Sequence, residues 1–307
     1  MPTNAYNLKT SNLKGQIPDV IGEVYFVDNS TGNANSDGSL HNPVSSIENA
    51  FNISGLSTGD YIVVMPGHTE TISAAAGIVA DVAGVTVLGL GNRDQRPTIT
   101  LGTATTADID IDAADITFKN LKFVSSVDSL AVVLDVNQGG FTCEDCVFVS
   151  SSTKEVVNFV NIATTKDNFI FRRCEFYQPT DPAGTDGGAG TGCFYFVDSE
   201  NLFFEDCFFY GNFESAIFHN KTTAAKNVWI RNCYGTQLLS GAEVSIQVAN
   251  MEGGAIGSMF IAQAADDVTE AKTWGTLSAK FFINLDCGVG NDGAGGQLAV
   301  AGASAAT

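Results

Sequence analysis

A nine-residue motif returns five times in the middle of this 307-residue sequence, and it constrains the fold more than any other feature. The copies are Asp115–Phe123, Gly140–Phe148, Asn168–Phe176, Asn201–Phe209 and Asn227–Gly235, and they align without gaps. A weaker copy, Gly84–Leu90, precedes them. The residue at offset 6 (counting the first as 0) is a convenient marker and falls at Leu90, Leu121, Cys146, Cys174, Cys207 and Cys233. The steps between markers are 31, 25, 28, 33 and 26 residues.

Apolar residues occupy offsets 1 and 3, then 6 and 8. Each pair alternates with the period of a half-buried strand. Between the pairs the parity slips by one residue, and a straight strand would turn its second pair to solvent. A corner at offsets 4 and 5, mostly charged or Asn/Asp, brings both pairs back inside. The motif therefore reads strand, bend, strand. A further strand follows each copy, as in Leu130–Val136, Glu155–Val160, Cys193–Val197 and Val244–Val248. Three short strands per repeat of this length predict a three-faced parallel β-helix, right-handed as parallel crossovers are. About seven coils at ~4.8 Å each give a column of roughly 35 Å. Stacking then predicts an internal ladder of Cys146, Cys174, Cys207 and Cys233, and another of Phe123, Phe148, Phe176 and Phe209.

Composition agrees. Apolar residues make up 44% of the chain and charged residues 16%, enough for a large core. With 34 Asp and Glu against 15 Lys and Arg the net charge is -19, which excludes a broad basic face for nucleic acid and opposes an anionic membrane. No apolar run reaches the ~18 residues of a membrane span. The opening Met1–Tyr6 has no basic and apolar signal pattern, so synthesis in a cytosol without signal-directed export is expected. On that expectation the Asn-x-Ser/Thr triplets at Asn29, Asn52 and Asn220 are chance. Seven Cys, an odd number, then read as buried apolar residues and not a disulfide framework.

Ahead of the repeats lie a strand, Val24–Val27, and a polar loop, Asp28–Gly38. Next comes a helix signal, with Asn42 as N-cap, Pro43 at the first helical position, and Val44, Ile47, Ala50 and Phe51 on one face. The strand Gly59–Gly67 follows. A short helix here, near 43–52, can cover the open end of the column. This opening, with the repeats, resembles pectin-lyase-like right-handed β-helix proteins over roughly residues 22–250. In character it is closest to bacteriophage virion members. The resemblance implies the all-β solenoid fold; the fold itself hosts polysaccharide lyases, glycosidases, tailspikes and non-catalytic virion proteins. The expected organisation is an N-terminal arm (1–21) that orders against a partner, a β-helix (22–250), and a C-terminal cap, oligomerisation element or tail (251–307). Within that last part Ala262–Lys272 reads as a short helix and Leu277–Leu285 as a strand.

Few residues carry candidate chemistry. Asp108, Asp110 and Asp112 alternate with Ile109 and Ile111. If the isoleucines point inward, the acids share an outer face about 7 Å apart. That spacing suits the acid and base of an inverting glycosidase, or oxygen ligands for Ca²⁺; the plain alternative is a solvated strand face. Cys143 and Cys146 have metal or redox spacing but no second pair, and Cys143 occupies a core offset. His41, His68 and His219 stand in no Ser/His/Asp arrangement, and His68 after Pro66-Gly67 reads as structural. The loop Asp181–Gly190 leaves the column and looks flexible. Clustered Ca²⁺-binding Asp with a catalytic Arg, which the lyase resemblance would imply, is not evident: Arg172, Arg173 and Arg231 lie at corners. The Asn-Thr-Asp and Gly-His-Gly signatures of polygalacturonases do not occur.

The expectation is a non-enzymatic bacteriophage virion protein with no cofactor or metal. It would be a capsid decoration or cement protein, or else a tail component, forming a homotrimer on other virion proteins such as the major capsid protein. The alternative is a polysaccharide-binding or polysaccharide-degrading β-helix acting on host polysaccharide through Asp108, Asp110 and Asp112. A surface adhesin is a third reading, opposed by the absent export signal.

Overall fold

The computed structural model describes residues 22–151, 154–178, 192–213, 216–220, 225–237, 246–248, 252–262, 281–285, 288–290 and 297–298. Its strands form a parallel β-helix with three faces. The first face stacks Val24–Val27, Tyr61–Val64, Thr86–Gly89, Thr117–Lys119, Thr142–Glu144, Phe169–Arg172, Glu200–Glu205, Lys226–Arg231, Glu252–Ile256 and Phe281–Leu285. The second stacks Thr69–Ile72, Thr98–Leu101, Lys122–Ser125, Val147–Ser150, Glu175–Gln178, Phe208–Gly211, Tyr234–Gln237, Met259–Ala262 and Gly288–Gly290, with Gln297–Leu298 added antiparallel at the end. The third holds seven strands: Ile78–Ala80, Ile109–Ile111, Leu130–Val136, Val156–Ile162, Phe194–Phe196, Phe218–Asn220 and Ile246–Val248. Each coil visits the faces in that order.

The motif folds as its parity requires. Ile116, Phe118, Leu121 and Phe123 are all buried, as are the equivalent residues of the next three copies. The corner is a single residue at offset 5 in the left-handed region. It is Asn120 (φ 55), Asp145 (φ 55), Arg173 (φ 53), Asp206 (φ 54) and Asn232 (φ 50). A second left-handed residue opens each copy at offset 0, from Asp115 (φ 60) to Asn227 (φ 53). Asn and Asp tolerate this conformation because their short polar side chains bond locally. Asn120 Nδ2 donates to the carbonyls of Gly89 and Gly91, both at 2.8 Å. Arg173 is the exception in type, and its guanidinium grips Asp145 with bonds of 2.6 and 3.0 Å.

Stacking builds both predicted ladders. The rings of Phe123, Phe148, Phe176 and Phe209 lie 4.9, 4.6 and 5.2 Å apart and nearly parallel. The ladder breaks at Gly235, where a Cβ would come within 2.5 Å of the Phe260 ring. The four ladder cysteines are free and buried. Each thiol donates to a carbonyl one coil below: Cys146 to Phe118 (3.8 Å), Cys174 to Cys143 (3.4 Å), Cys207 to Phe171 (3.4 Å) and Cys233 to Phe204 (3.5 Å). Burial pushes the thiols of Cys174 and Cys233 up, away from reactive thiolate.

Three expectations need correction. The column does not stop at Asn250. Glu252–Ile256 and Met259–Ala262 extend the first and second faces, and Phe281–Leu285 and Gly288–Gly290 extend them again. Residues 252–260 are another copy of the motif, with Ser258 in the cysteine place donating to the Ile230 carbonyl at 3.3 Å. Small residues at offsets 1 to 3 (Gly253, Gly254, Ala255) hid it from the apolar pattern. Leu90, the marker of the weaker copy, does not stack with the later markers. It packs with Phe26, Val63, Met65 and Leu88 in a separate cluster, because residues 90–97, with a 3₁₀ turn at Arg93–Gln95, are inserted at that corner. The helix begins later than Asn42-Pro43. It spans Ile47–Phe51, and the Ser46 side chain accepts from the Asn49 N–H at 3.1 Å. Val44 is instead extended, exchanging backbone bonds with Phe26 and Asp28.

The helix still covers the end of the column. Ile47, Ala50 and Phe51 are buried against it, and Glu48 accepts from the Val79 N–H on the first strand of the third face at 2.8 Å. Buried His68 clamps this end. Its Nδ1 accepts from the Asn29 N–H at 3.0 Å, so Nε2 carries the hydrogen and donates to Glu70 at 3.2 Å. Glu70 in turn accepts from the Ile47 N–H at 3.0 Å. The arm 1–21, the loop Asp181–Gly190 and residues 263–272 of the expected helix lie outside the described residues.

Asn120→Ala removes two buried-side hydrogen bonds and places a Cβ-only residue in the left-handed region. The expected loss is about 3 kcal/mol, of which ~2 is hydrogen bonding and ~1 backbone conformation. Asn120→Gly should lose only the first part. Urea denaturation of both variants checks this, and an alanine variant as stable as wild type contradicts it.

Candidate functional site

The three faces carry different chemistry outward. On the first, offset 4 gives an ion ladder. Lys119 meets Glu144 at 3.0 Å, Glu144 meets Arg172 at 2.7 Å, Arg172 meets Glu205 at 2.9 Å and Glu205 meets Arg231 at 3.5 Å. Burial opposes ionisation of Glu144, yet bonds from Lys119 and Arg172 hold its carboxyl below the usual range. The Arg231 guanidinium also lies 5.5 Å from the Trp229 ring. The charges on this face largely neutralise one another.

The third face carries the acids. Ile109 and Ile111 are buried, so Asp110 between them points outward as expected. Asp108 and Asp112 flank the strand. Asp108 accepts from the Ala76 N–H and Asp112 from the Asn137 side chain at 3.0 Å. Parallel register adds a fourth acid that the linear pattern did not reveal: Asp135 sits directly above Asp110. The same row continues through Asn161, Tyr195 and His219. Asn161 donates to Asp135 at 2.7 Å. His219 is buried within this row, beside the Tyr195 ring, while His41 is exposed at the far end.

Burial, then the charges of Asp108, Asp112 and Asp135, push the Asp110 carboxyl up to about 6. Burial also raises Asp108, against a lowering by the Ala76 N–H. A carboxyl raised to about 6 beside others is the arrangement of a general acid with a second carboxylate. Register places the Asp110 and Asp135 backbones ~4.8 Å apart. Cys143 lies in the core with its sulfur 3.8 Å from that of Cys174, so its spacing to Cys146 reflects packing.

The second face was not anticipated. Its outward positions are offset 7 (Lys122, Val147, Glu175, Phe208, Tyr234, Met259) and, two residues on, Val124, Val149, Tyr177, Tyr210 and Thr236. Phe208 is 37% exposed, Tyr210 45%, Tyr234 52% and Met259 46%. They are the exposed large apolar side chains among the described residues, and all four lie on this face. The signal was present in the alignment, since offset 7 faces outward by parity and is nevertheless mostly apolar.

No family model matches the chain, and no curated protein is similar to it. Solved structures do share its architecture. It is similar to a rhamnogalacturonan lyase, with a TM-score of 0.52 and 11% identity over 85% of this chain and 86% of that one. It is also similar to the pectate lyase Pel9A, with a TM-score of 0.50 and 13% identity over 88% and 78%. ORF18 of Geobacillus virus E2 aligns at a TM-score of 0.32 and 13% identity over 87% and 61%, which carries no argument. The chain thus has the parallel β-helix fold of pectin-lyase-like proteins, and at these identities the fold is all that is shared.

The raised Asp110 carboxyl has a consequence for stability. Its folded value, about 6, lies above its ordinary 3.8, so the group favours the folded state only while protonated. That contribution is complete below pH ~4 and lost as pH rises through ~6. Asp110→Asn should match wild type at pH ~3.5 and exceed it by about 1 kcal/mol at pH ~7.5, after allowance for screening at a partly exposed site. Denaturation midpoints at the two pH values check this; a variant no more stable at the higher pH contradicts it.

Proposed function

We propose that this chain is a non-enzymatic structural component of a bacteriophage particle, most simply a capsid decoration protein. The observation that carries the assembly role is the exposed aromatic strip on the second face. A soluble chain of net charge -19 presenting a contiguous apolar face has the surface of an assembly part, since such patches mark interaction sites. The scaffold behind the strip fits that role. Stacked rings and thiol bonds hold the column rigid without disulfides among the described cysteines. The acids on the third face are tied to partners of the protein itself, Asp108 to the Ala76 N–H, Asp112 to Asn137 and Asp135 to Asn161. The phage setting follows from the resemblance of the opening and repeats to virion β-helix proteins. Mass spectrometry of purified particles from a culture that expresses the chain should find it at hundreds of copies per particle. Its absence from particles overturns the reading.

A second reading rests on one specific observation, the carboxyl of Asp110 raised beside Asp135. In that reading the third face binds a polysaccharide along its row, and Asp110 and Asp135, one strand apart, supply the acid and the nucleophile of a retaining hydrolysis. Release of reducing ends from a polysaccharide panel, lost in both Asp110→Asn and Asp135→Asn, would support it. A wild-type protein that releases none removes it.

A further inference from the structure

We propose that the aromatic strip of the second face is the contact between copies of this chain. This rests on the structural reading above and names the partner of its exposed face. Three observations converge on a second copy.

The first is charge. With 34 acidic and 15 basic residues, two copies repel one another over most approaches. Along the outward positions of the second face from Lys122 to Met259, Lys122 and Glu175 are the charged side chains, and their charges cancel. A basic partner would find its complement on the acidic third face. The neutral strip fits an equally neutral apolar surface, which a second copy supplies.

The second is commensurability. The outward residues repeat with the inter-strand spacing of ~4.8 Å, because they ride on parallel strands in register. Two copies of the strip share that spacing, so rows of one can settle between rows of the other along their whole length. Face-to-face packing of two sheets at ~10 Å is the ordinary way to bury such surfaces.

The third is area. Phe208, Tyr210, Tyr234 and Met259 are 37–52% exposed, and with aromatic side chains of 150–250 Å² they offer roughly 400 Å². Val147 and Val149, partly exposed on the same face, bring the strip to roughly 500 Å² per copy, the central part of the ~800 Å² that each partner buries in a standard interface.

Sedimentation velocity of the full chain tests this. Wild type should be a dimer or larger at about 10 μM, and its oligomer fraction should rise with salt, because screening removes the general repulsion and leaves the apolar contact. The double variant Phe208→Glu/Tyr234→Glu should weaken self-association by at least about 100-fold with an unchanged circular dichroism spectrum and melting temperature. Ala131→Glu, exposed on the third face, controls for added charge and should associate as wild type does. A wild type that is monomeric at about 100 μM, or a double variant that associates normally, overturns the proposal. A monomer that polysaccharide binds through Phe208 and Tyr234 also overturns it, in favour of a glycan platform. A monomer found at high copy number in particles removes the copy-to-copy contact and leaves the virion reading intact, whereas an oligomer absent from particles does the reverse.

Discussion

Everything in this column depends on one backbone conformation, the left-handed residue between the two strands of the motif. At Asn120, Asp145, Arg173, Asp206 and Asn232 it restores the parity that the slip at offset 4 would otherwise lose. Because it recurs at the same offset, each coil turns at the same place and the next can lie upon it in register. The backbone then pairs parallel from coil to coil, and equivalent side chains are forced into columns. Arg173 shows that the requirement belongs to the turn and not to the residue type. A long side chain accepts an unfavourable φ there because its guanidinium is held bidentately by Asp145 one coil below.

Columns convert a sequence repeat into distinct bulk properties on each side of the protein. Inside, they give stacked phenylalanines and a thiol row whose donors reach the carbonyls below. Outside, they give an ion ladder on the first face, a row of acids and amides on the third, and an aromatic strip on the second. The same stacking that stabilises the interior therefore concentrates chemistry outside. Asp110 gains Asp135 as a neighbour only because two strands pair, and Asp135 adds to the rise of a carboxyl already pushed up by burial and by Asp108 and Asp112.

The functional readings differ in which outer face they use. Acids tied to the backbone and to amides of neighbouring coils suit a ladder that stabilises the face. Exposed Phe208, Tyr210, Tyr234 and Met259 form an apolar strip, and that is the surface the assembly reading uses. The likeness to polysaccharide lyases is a likeness of fold, and the functional readings rest on the outer side chains.

The sequence by itself determined the coil. Alternation at offsets 1, 3, 6 and 8, the parity slip, and Asn or Asp at the corners are local facts, and local steric and hydrophobic rules were sufficient to read faces, ladders and the inward isoleucines beside Asp110. It also displayed an apolar offset 7 whose meaning went unread. What only the tertiary structure decided lies between coils. Loops of unequal length separate the copies, so residues far apart in number, such as Asp110 and Asp135 or Phe208 and Tyr234, become neighbours by register and not by spacing. Small residues at Gly253, Gly254 and Ala255 hid the copy at 252–260, and Leu90 at the marker position hid the insertion at 90–97. Backbone pairing carries the column through glycine and serine where side-chain pattern fails, and it tolerates an excursion at a corner that a linear motif counts as a match.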